Sequence, residues 1–282
     1  MIGSEYSRHP EILIDSFREM KHEYNQKVKK PKNKGFITLL QKIYIQIFGI
    51  PEVGFLIRSL YFKKIIPEKV KIGRVKNVLD AGSGIGTYSF WLRKMFPKAR
   101  IVGEEIDKNK INFSKKFAKE LRFSGIDFYY RDISKDYNNK QKYDLIVNVD
   151  VLEHIKDYRK VLKNFYKQLS SKGFLYIHTP QPNQERIFSQ LKKWHHEDHV
   201  REGFMVKELI KELVDFKFKV IVVKQTFGFF GKLAWEINHI LLEKSFVLAG
   251  LFYPLLIVLS VIDTMVDNKK GLGIAILAQK KS

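Results

Sequence analysis

Val78-Leu79-Asp80-Ala81-Gly82-Ser83-Gly84-Ile85-Gly86-Thr87 is the stretch on which the fold turns. An apolar run enters three closely spaced glycines, and a helical pattern opens at Thr87. Glycine suits a tight strand-to-helix turn and lets a ligand approach the backbone. The next apolar run ends in Gly103-Glu104-Glu105, which puts Glu105 19 residues after Gly86. A carboxylate at that distance is placed to accept hydrogen bonds from ribose hydroxyls. The spacing is G-x-G-x-G, not the G-x-G-x-x-G of dinucleotide enzymes. The chain has no G-x-x-x-x-G-K-[ST] loop, which argues against a nucleoside triphosphatase.

Outward from this turn, short apolar runs alternate with amphipathic helical patterns between about residues 70 and 223, without internal repeats. Strands are predicted at 77–80, 100–104, 127–131, 143–149, 174–178, 218–223 and 271–279. Helical spacing covers 89–95, 108–121, 158–169 and 205–213. The expected fold is α/β, a Rossmann-like, seven-stranded, mostly parallel sheet with helices on both faces. Two regions break the rhythm. Residues 1–75 form a basic, amphipathic helical extension or lid, with helical patterns at 36–48 and 54–65. Residues 226–270 form an apolar insertion within the domain predicted for 76–282.

The glycine turn resembles motif I of class I S-adenosylmethionine (SAM) methyltransferases, and further positions follow that family's order. Asp132 follows the third strand, and Asp150-Val151-Leu152-Glu153-His154 follows the fourth. The similarity is greatest to the small-molecule "type 11" branch, which includes ubiquinone-biosynthesis-type enzymes. The resemblance implies SAM as cofactor, with Gly82, Gly84 and Gly86 shaping its loop. It also implies Glu105 on the ribose, Asp132 on adenine, and Asp80 orienting the methionine end through the loop. Asp150 would lie where donor and acceptor meet, and His154 one turn later is a candidate base. His199, before the helix at 205–213, is a second candidate for acceptor contact or base. Asp150, Glu153 and His154 also spell a cluster that could ligate a divalent ion, although no metal is the preferred reading. His178 is expected as a strand-end residue packed near the pocket rim.

Composition narrows the chemistry. The chain has 282 residues and no cysteine. Thiol nucleophiles, thiolate metal sites and cysteine-held clusters are thereby excluded, and with them thiol-adduct methylation of pyrimidine carbon 5. The net charge of +21 calls for an anionic partner. Nucleic acid is disfavoured, because there is no [ND]-P-P-[FYW] motif and no recognisable RNA-binding module. Charged residues Glu5, Arg8, Glu11 and Asp15 interrupt any signal peptide at the N-terminus. Lys27, Lys29, Lys30, Lys32 and Lys34 concentrate positive charge ahead of the domain.

From Ser245 to Ile262 there are 18 consecutive uncharged residues, about 27 Å as a helix and at the threshold for spanning a bilayer. A single crossing would strand the final strand on the far side of the membrane. Monotopic attachment to an anionic membrane surface is therefore expected, with a dimer contact or acceptor lid as the alternatives. The expected function is methyl transfer, with oxygen as acceptor atom, to an amphiphilic small molecule or lipid-linked acceptor at the cytoplasmic membrane face. The alternatives are a soluble small-molecule or saccharide methyltransferase whose apolar segment forms a homodimer contact or lid, and a non-catalytic SAM-binding protein.

Overall fold

Strand β1 (Asn77–Ala81) is the apolar run quoted above, buried from Val78 to Ala81 because strands flank it on both sides. It pairs in parallel with β2 (Arg100–Glu105) and β4 (Tyr143–Val149). Strand β3 (Ile126–Tyr130) extends the sheet beyond β2, and β5 (Leu169–Pro180) extends it beyond β4. The last strand, β7 (Gly273–Lys280), inserts antiparallel between β5 and β6 (Phe218–Thr226). The order is β3-β2-β1-β4-β5-β7-β6, as expected of a mostly parallel Rossmann-like sheet. The chain moves outward from β1 to β3 and then returns to the other side of β1 as β4. A crevice opens at the carboxyl ends of β1 and β4 for that reason.

This architecture comes from a computed structural model that describes residues 51–120, 122–136, 141–192 and 200–281. The lysine cluster at 27–34, the helical pattern at 36–48 and His199 lie outside the described residues.

Alternate residues along the central strands supply two separate cores. Val78, Leu145 and Val147 face one, and Leu79 and Ile146 face the other. The first core is covered by α1 (Val53–Lys69), α2 (Thr87–Met95), α3 (Lys108–Glu120) and the pair α6 (Phe229–Lys244) and α7 (Phe246–Met265). The second is covered by α4 (Tyr158–Gln168) and α5 (Val206–Asp215). Each fully buried Leu, Ile or Phe in these layers contributes about 1.5–3 kcal/mol.

Helix α1 lies in the segment that sequence placed ahead of the domain, yet Leu56, Ile57, Phe62 and Ile66 belong to the same core as α2 and α3. Its first turn is capped by Glu52, whose carboxylate accepts from the Gly54 and Phe55 amides at 2.9 and 2.5 Å. Strand β5 begins five residues earlier than predicted. A register shift between Tyr143 and Leu145 lets Leu169, expected at the end of the preceding helix, pair with Tyr143.

Buried polar groups stitch the α6–α7 hairpin to the domain. Asp263 accepts from the Gly231 amide at 3.0 Å and from the Tyr61 hydroxyl at 3.1 Å. Asn238 accepts from the Val53 amide at 3.0 Å. By length and composition α7 could cross a membrane, but Tyr253, Leu256, Ile257 and Asp263 on one side pack into the protein. Eight residues after α7 ends, the chain enters β7 between β5 and β6. The opposite side of α7 leaves Val247, Leu248, Leu251, Phe252, Leu255 and Val258 exposed.

Candidate functional site

Backbone geometry builds the turn after β1. The Gly82 and Ser83 amides both donate to the Glu104 carbonyl, at 2.8 and 2.9 Å, closing the loop on the end of β2. Gly82 (φ 78°) and Gly86 (φ 85°) are left-handed, which L side chains rarely adopt. A Cβ on Gly82 would collide with Val151, and one on Gly86 would come within 2.7 Å of the Phe128 ring. At Gly84 nothing lies within 4 Å of the added atom, so the loop's outer side opens onto free space.

The two glutamates ending β2 have opposite tasks. Glu104 is fully buried and pairs with Arg131 at 2.5 Å. Glu105 instead faces the glycine turn: one oxygen accepts from the Gly84 amide at 2.9 Å, the other from Ile106 and Asp107 at 2.9 and 3.0 Å. Asp80 is buried beneath the turn and accepts from the Ser89 hydroxyl at 2.6 Å. Desolvation pushes its carboxyl up to about 7, against the pull of the Ser89 hydrogen bonds. Asp132 accepts from the Ser134 amide and hydroxyl at 2.9 and 2.6 Å. Burial opposes its charge, but those bonds and Lys135 outweigh it and hold the carboxyl below its ordinary range.

Across the crevice, Asp150 sits just beyond β4 in the left-handed region (φ 52°). One carboxylate oxygen meets His178 Nδ1 at 2.5 Å, and the other meets Arg58 Nε at 2.7 Å. The second ring nitrogen of His178 lies 3.0 Å from the Thr226 hydroxyl. A line of polar groups thus runs from α1 through the β4 edge to the end of β6. Burial disfavours the Arg58 charge, but Asp150 and Glu52 prevail and raise its pKa. Nearby, the buried Tyr88 and Tyr176 hydroxyls and the Ser83 hydroxyl have no hydrogen-bond partner among the described residues.

His178 is therefore more than the rim residue expected from sequence: its ring is buried and bonded to Asp150. His154 ends a short 3-10 turn with its side chain exposed. Glu153 points inward to Thr179 at 3.1 Å, and burial, then the charge of Asp150, raises its pKa. The Asp150, Glu153 and His154 side chains do not converge. Among the described residues, no three His, Cys, Asp or Glu side chains gather as a metal site requires. Sequence reasoning missed Arg58 and Thr226, which lie 92 and 76 residues from Asp150 and carry no local motif.

Residues 72–226, more than half of the chain, match a family model described as a methyltransferase domain, Methyltransf_31. The chain belongs to that family. Its cofactor is S-adenosyl-L-methionine, and the open turn at Gly84, the anchored Glu105 and the unpartnered Ser83 hydroxyl fit such a ligand. The chain resembles (S)-coclaurine N-methyltransferase of Papaver somniferum, 26% identical over 39% of this chain and 31% of that protein. It also resembles phosphoethanolamine N-methyltransferase 1 of Arabidopsis thaliana, 28% identical over 54% of this chain and 32% of that one. These matches span about a third of the curated relatives' length. In fold it is similar to an O-methyltransferase from a trans-AT polyketide synthase multienzyme of Brevibacillus brevis, solved with S-adenosyl-L-homocysteine. That likeness has a TM-score of 0.52 at 16% identity and covers 78% of this chain and 71% of the other.

Proposed function

We propose that the protein transfers a methyl group from SAM to an oxygen of an amphiphilic small-molecule or lipid-linked acceptor at the cytoplasmic face of a membrane. When bound, SAM supplies a methyl carbon on a positively charged sulfur, so the protein must align the acceptor, exclude water and remove one proton. Gly82, Gly84 and Gly86 shape the cofactor loop, Glu105 takes the ribose and Asp132 lies toward the adenine. Asp80 acts as a positioning group through Ser89 on the first turn of α2. Asp150, about a quarter exposed, accepts a hydrogen bond from the acceptor hydroxyl and takes its proton as the new carbon–oxygen bond forms. Arg58 and His178 hold the Asp150 carboxylate in place. His199 stands as a further candidate for acceptor contact or base.

The observation that carries the membrane reading is α7, uncharged from Phe246 to Ile262 and exposed along one side. Val247, Leu251, Leu255 and Val258 recur at helical spacing, and an apolar helix face lying in the headgroup region is the solution physics favours for such a stripe. The +21 charge adds attraction to anionic lipid. Flotation with phosphatidylcholine–phosphatidylglycerol vesicles tests this reading. The wild-type protein should float and Leu251→Glu/Leu255→Glu should not; equal flotation would sink it. Product analysis with methyl-labelled SAM on a whole lipid extract tests the acceptor class, the expected result being label in an extracted amphiphile.

A second reading, methylation of nitrogen, draws support from the N-methyltransferase names of the sequence relatives. Acid hydrolysis of the labelled product and identification of the methylated atom separates the two.

A further inference from the structure

A cavity of about 530 Å³ opens beside the crevice, between the ends of β5 and β6 and the start of β7. Gln181 and Gln184 line one side, Phe227 and Phe229 another, and Lys232, Lys269 and Lys270 also contribute to the wall. Glu185 is the one carboxylate among the lining residues, against these three ammonium groups.

The wall is built rather than incidental. Glu236, fully buried on α6, accepts from the Ile187 amide with both oxygens at 3.0 Å and from Phe188 at 2.8 Å, which fixes the loop following β5. The Gln181 amide group donates to the Gly271 carbonyl at 2.8 Å, and that of Gln184 to the Leu272 carbonyl at 3.0 Å. Phe227 is held left-handed (φ 54°) while its carbonyl accepts from Leu272 at 3.1 Å. A bulky residue in that conformation is uncommon, and it needs its surroundings to impose it. Its ring centroid lies 6.2 Å from that of His178, the residue bonded to Asp150, so the cavity abuts the methyl-transfer end of the domain.

Two further features give the cavity an orientation. Phe229 in its wall is 63% exposed, and Met265, 76% exposed, ends α7 four residues before Lys269. A cationic recess thus meets the apolar helix that the proposed function places on lipid.

We infer that this cavity binds the phosphate-bearing head of the acceptor, with Lys232, Lys269 and Lys270 as its charge partners. The inference rests on the amphiphile reading above and narrows it to phosphorylated acceptors. Charge supplied by flexible ammonium groups around an open recess suits a phosphate monoester or diester. Gln181 and Gln184 add polar surface without adding negative charge. The same chemistry at the lysines serves a phosphate on a membrane lipid and one on a free phosphorylated compound.

The test uses the full chain and dodecyl phosphate below its micelle concentration, measured by calorimetry at fixed ionic strength. Lys232→Ala/Lys269→Ala/Lys270→Ala should weaken dodecyl phosphate binding at least about tenfold, with SAM affinity unchanged as the measure of folding. Lys192→Ala/Lys207→Ala/Lys219→Ala, which removes three lysines outside the cavity lining, should leave binding unchanged. Equal binding by wild type and the cavity variant, or equal losses in both triple variants, would overturn the inference. If the wild type fails to float on vesicles yet binds dodecyl phosphate through these lysines, the membrane reading falls and the cavity assignment stands. Competition by inorganic phosphate then points to a free phosphorylated acceptor. Retained flotation without lysine-dependent binding has the opposite meaning.

Discussion

The glycine turn between β1 and α2 and the hairpin α6–α7 solve different problems with different materials. The turn is a local construction, in which backbone amides from Gly82, Ser83 and Gly84 find partners on residues at the end of β2. The hairpin reaches across the chain: Asp263 bonds Tyr61, and Asn238 bonds Val53, over 202 and 185 residues. The cofactor end is shaped by what the backbone can do, so few residue types are tolerated there. The hairpin is shaped by which side chains happen to meet, so it can vary while the sheet stays the same.

The largest expected effect falls on the turn. Gly82→Ala places a Cβ against Val151 in a left-handed backbone and should cost about 100-fold or more in SAM affinity by calorimetry. Vesicle flotation should survive the change; loss of both would mean that the two regions are not independent. Asp150→Asn should lower turnover about 10²- to 10⁴-fold while SAM affinity changes little. Arg58→Ala should reduce turnover less, with partial recovery in Arg58→Lys, because Arg58 acts by holding Asp150.

The buried carboxyls make the same comparison in pH. Asp80 carries a pKa raised to about 7, so its neutral form favours folding. That contribution is complete below about pH 4 and is lost as pH rises through about 7, by up to about 4 kcal/mol. Denaturant unfolding across this range should therefore show declining stability, and Asp80→Asn should flatten the decline. An unchanged slope in that variant would assign the pH dependence elsewhere, with Glu153 the next group to replace. On the hairpin, Leu251→Glu/Leu255→Glu should shift stability by only about 0.5 kcal/mol, because both side chains already face outward. The smallest effect is expected at His154: its exposed ring predicts that His154→Ala keeps turnover within a factor of about three.

Much of the cofactor end was legible because its signals are local and periodic. Strand–glycine–helix succession marked the turn, and the position of Glu105 at the end of the next strand followed from spacing. Spacing singled out Glu105, and the pleat supplies the physical reason that Glu104 differs, by turning it inward to Arg131. The partner of Asp150 was not legible. His154 is nearer in sequence, but His178 on the adjacent strand brings its ring to the carboxylate, because β4 and β5 pair with Val149 opposite His178.

From sequence alone came the sheet, the glycine turn, the carboxylates that ring it and the apolar length of α7, each written in neighbouring residues through backbone conformation and burial period. Tertiary structure alone decided that α1 completes the core, that Arg58, Asp150, His178 and Thr226 form one line, and that α7 buries one face and exposes the other. These are contacts between residues far apart in the chain. No local pattern encodes them, since their energy exists only once the sheet has brought the partners together.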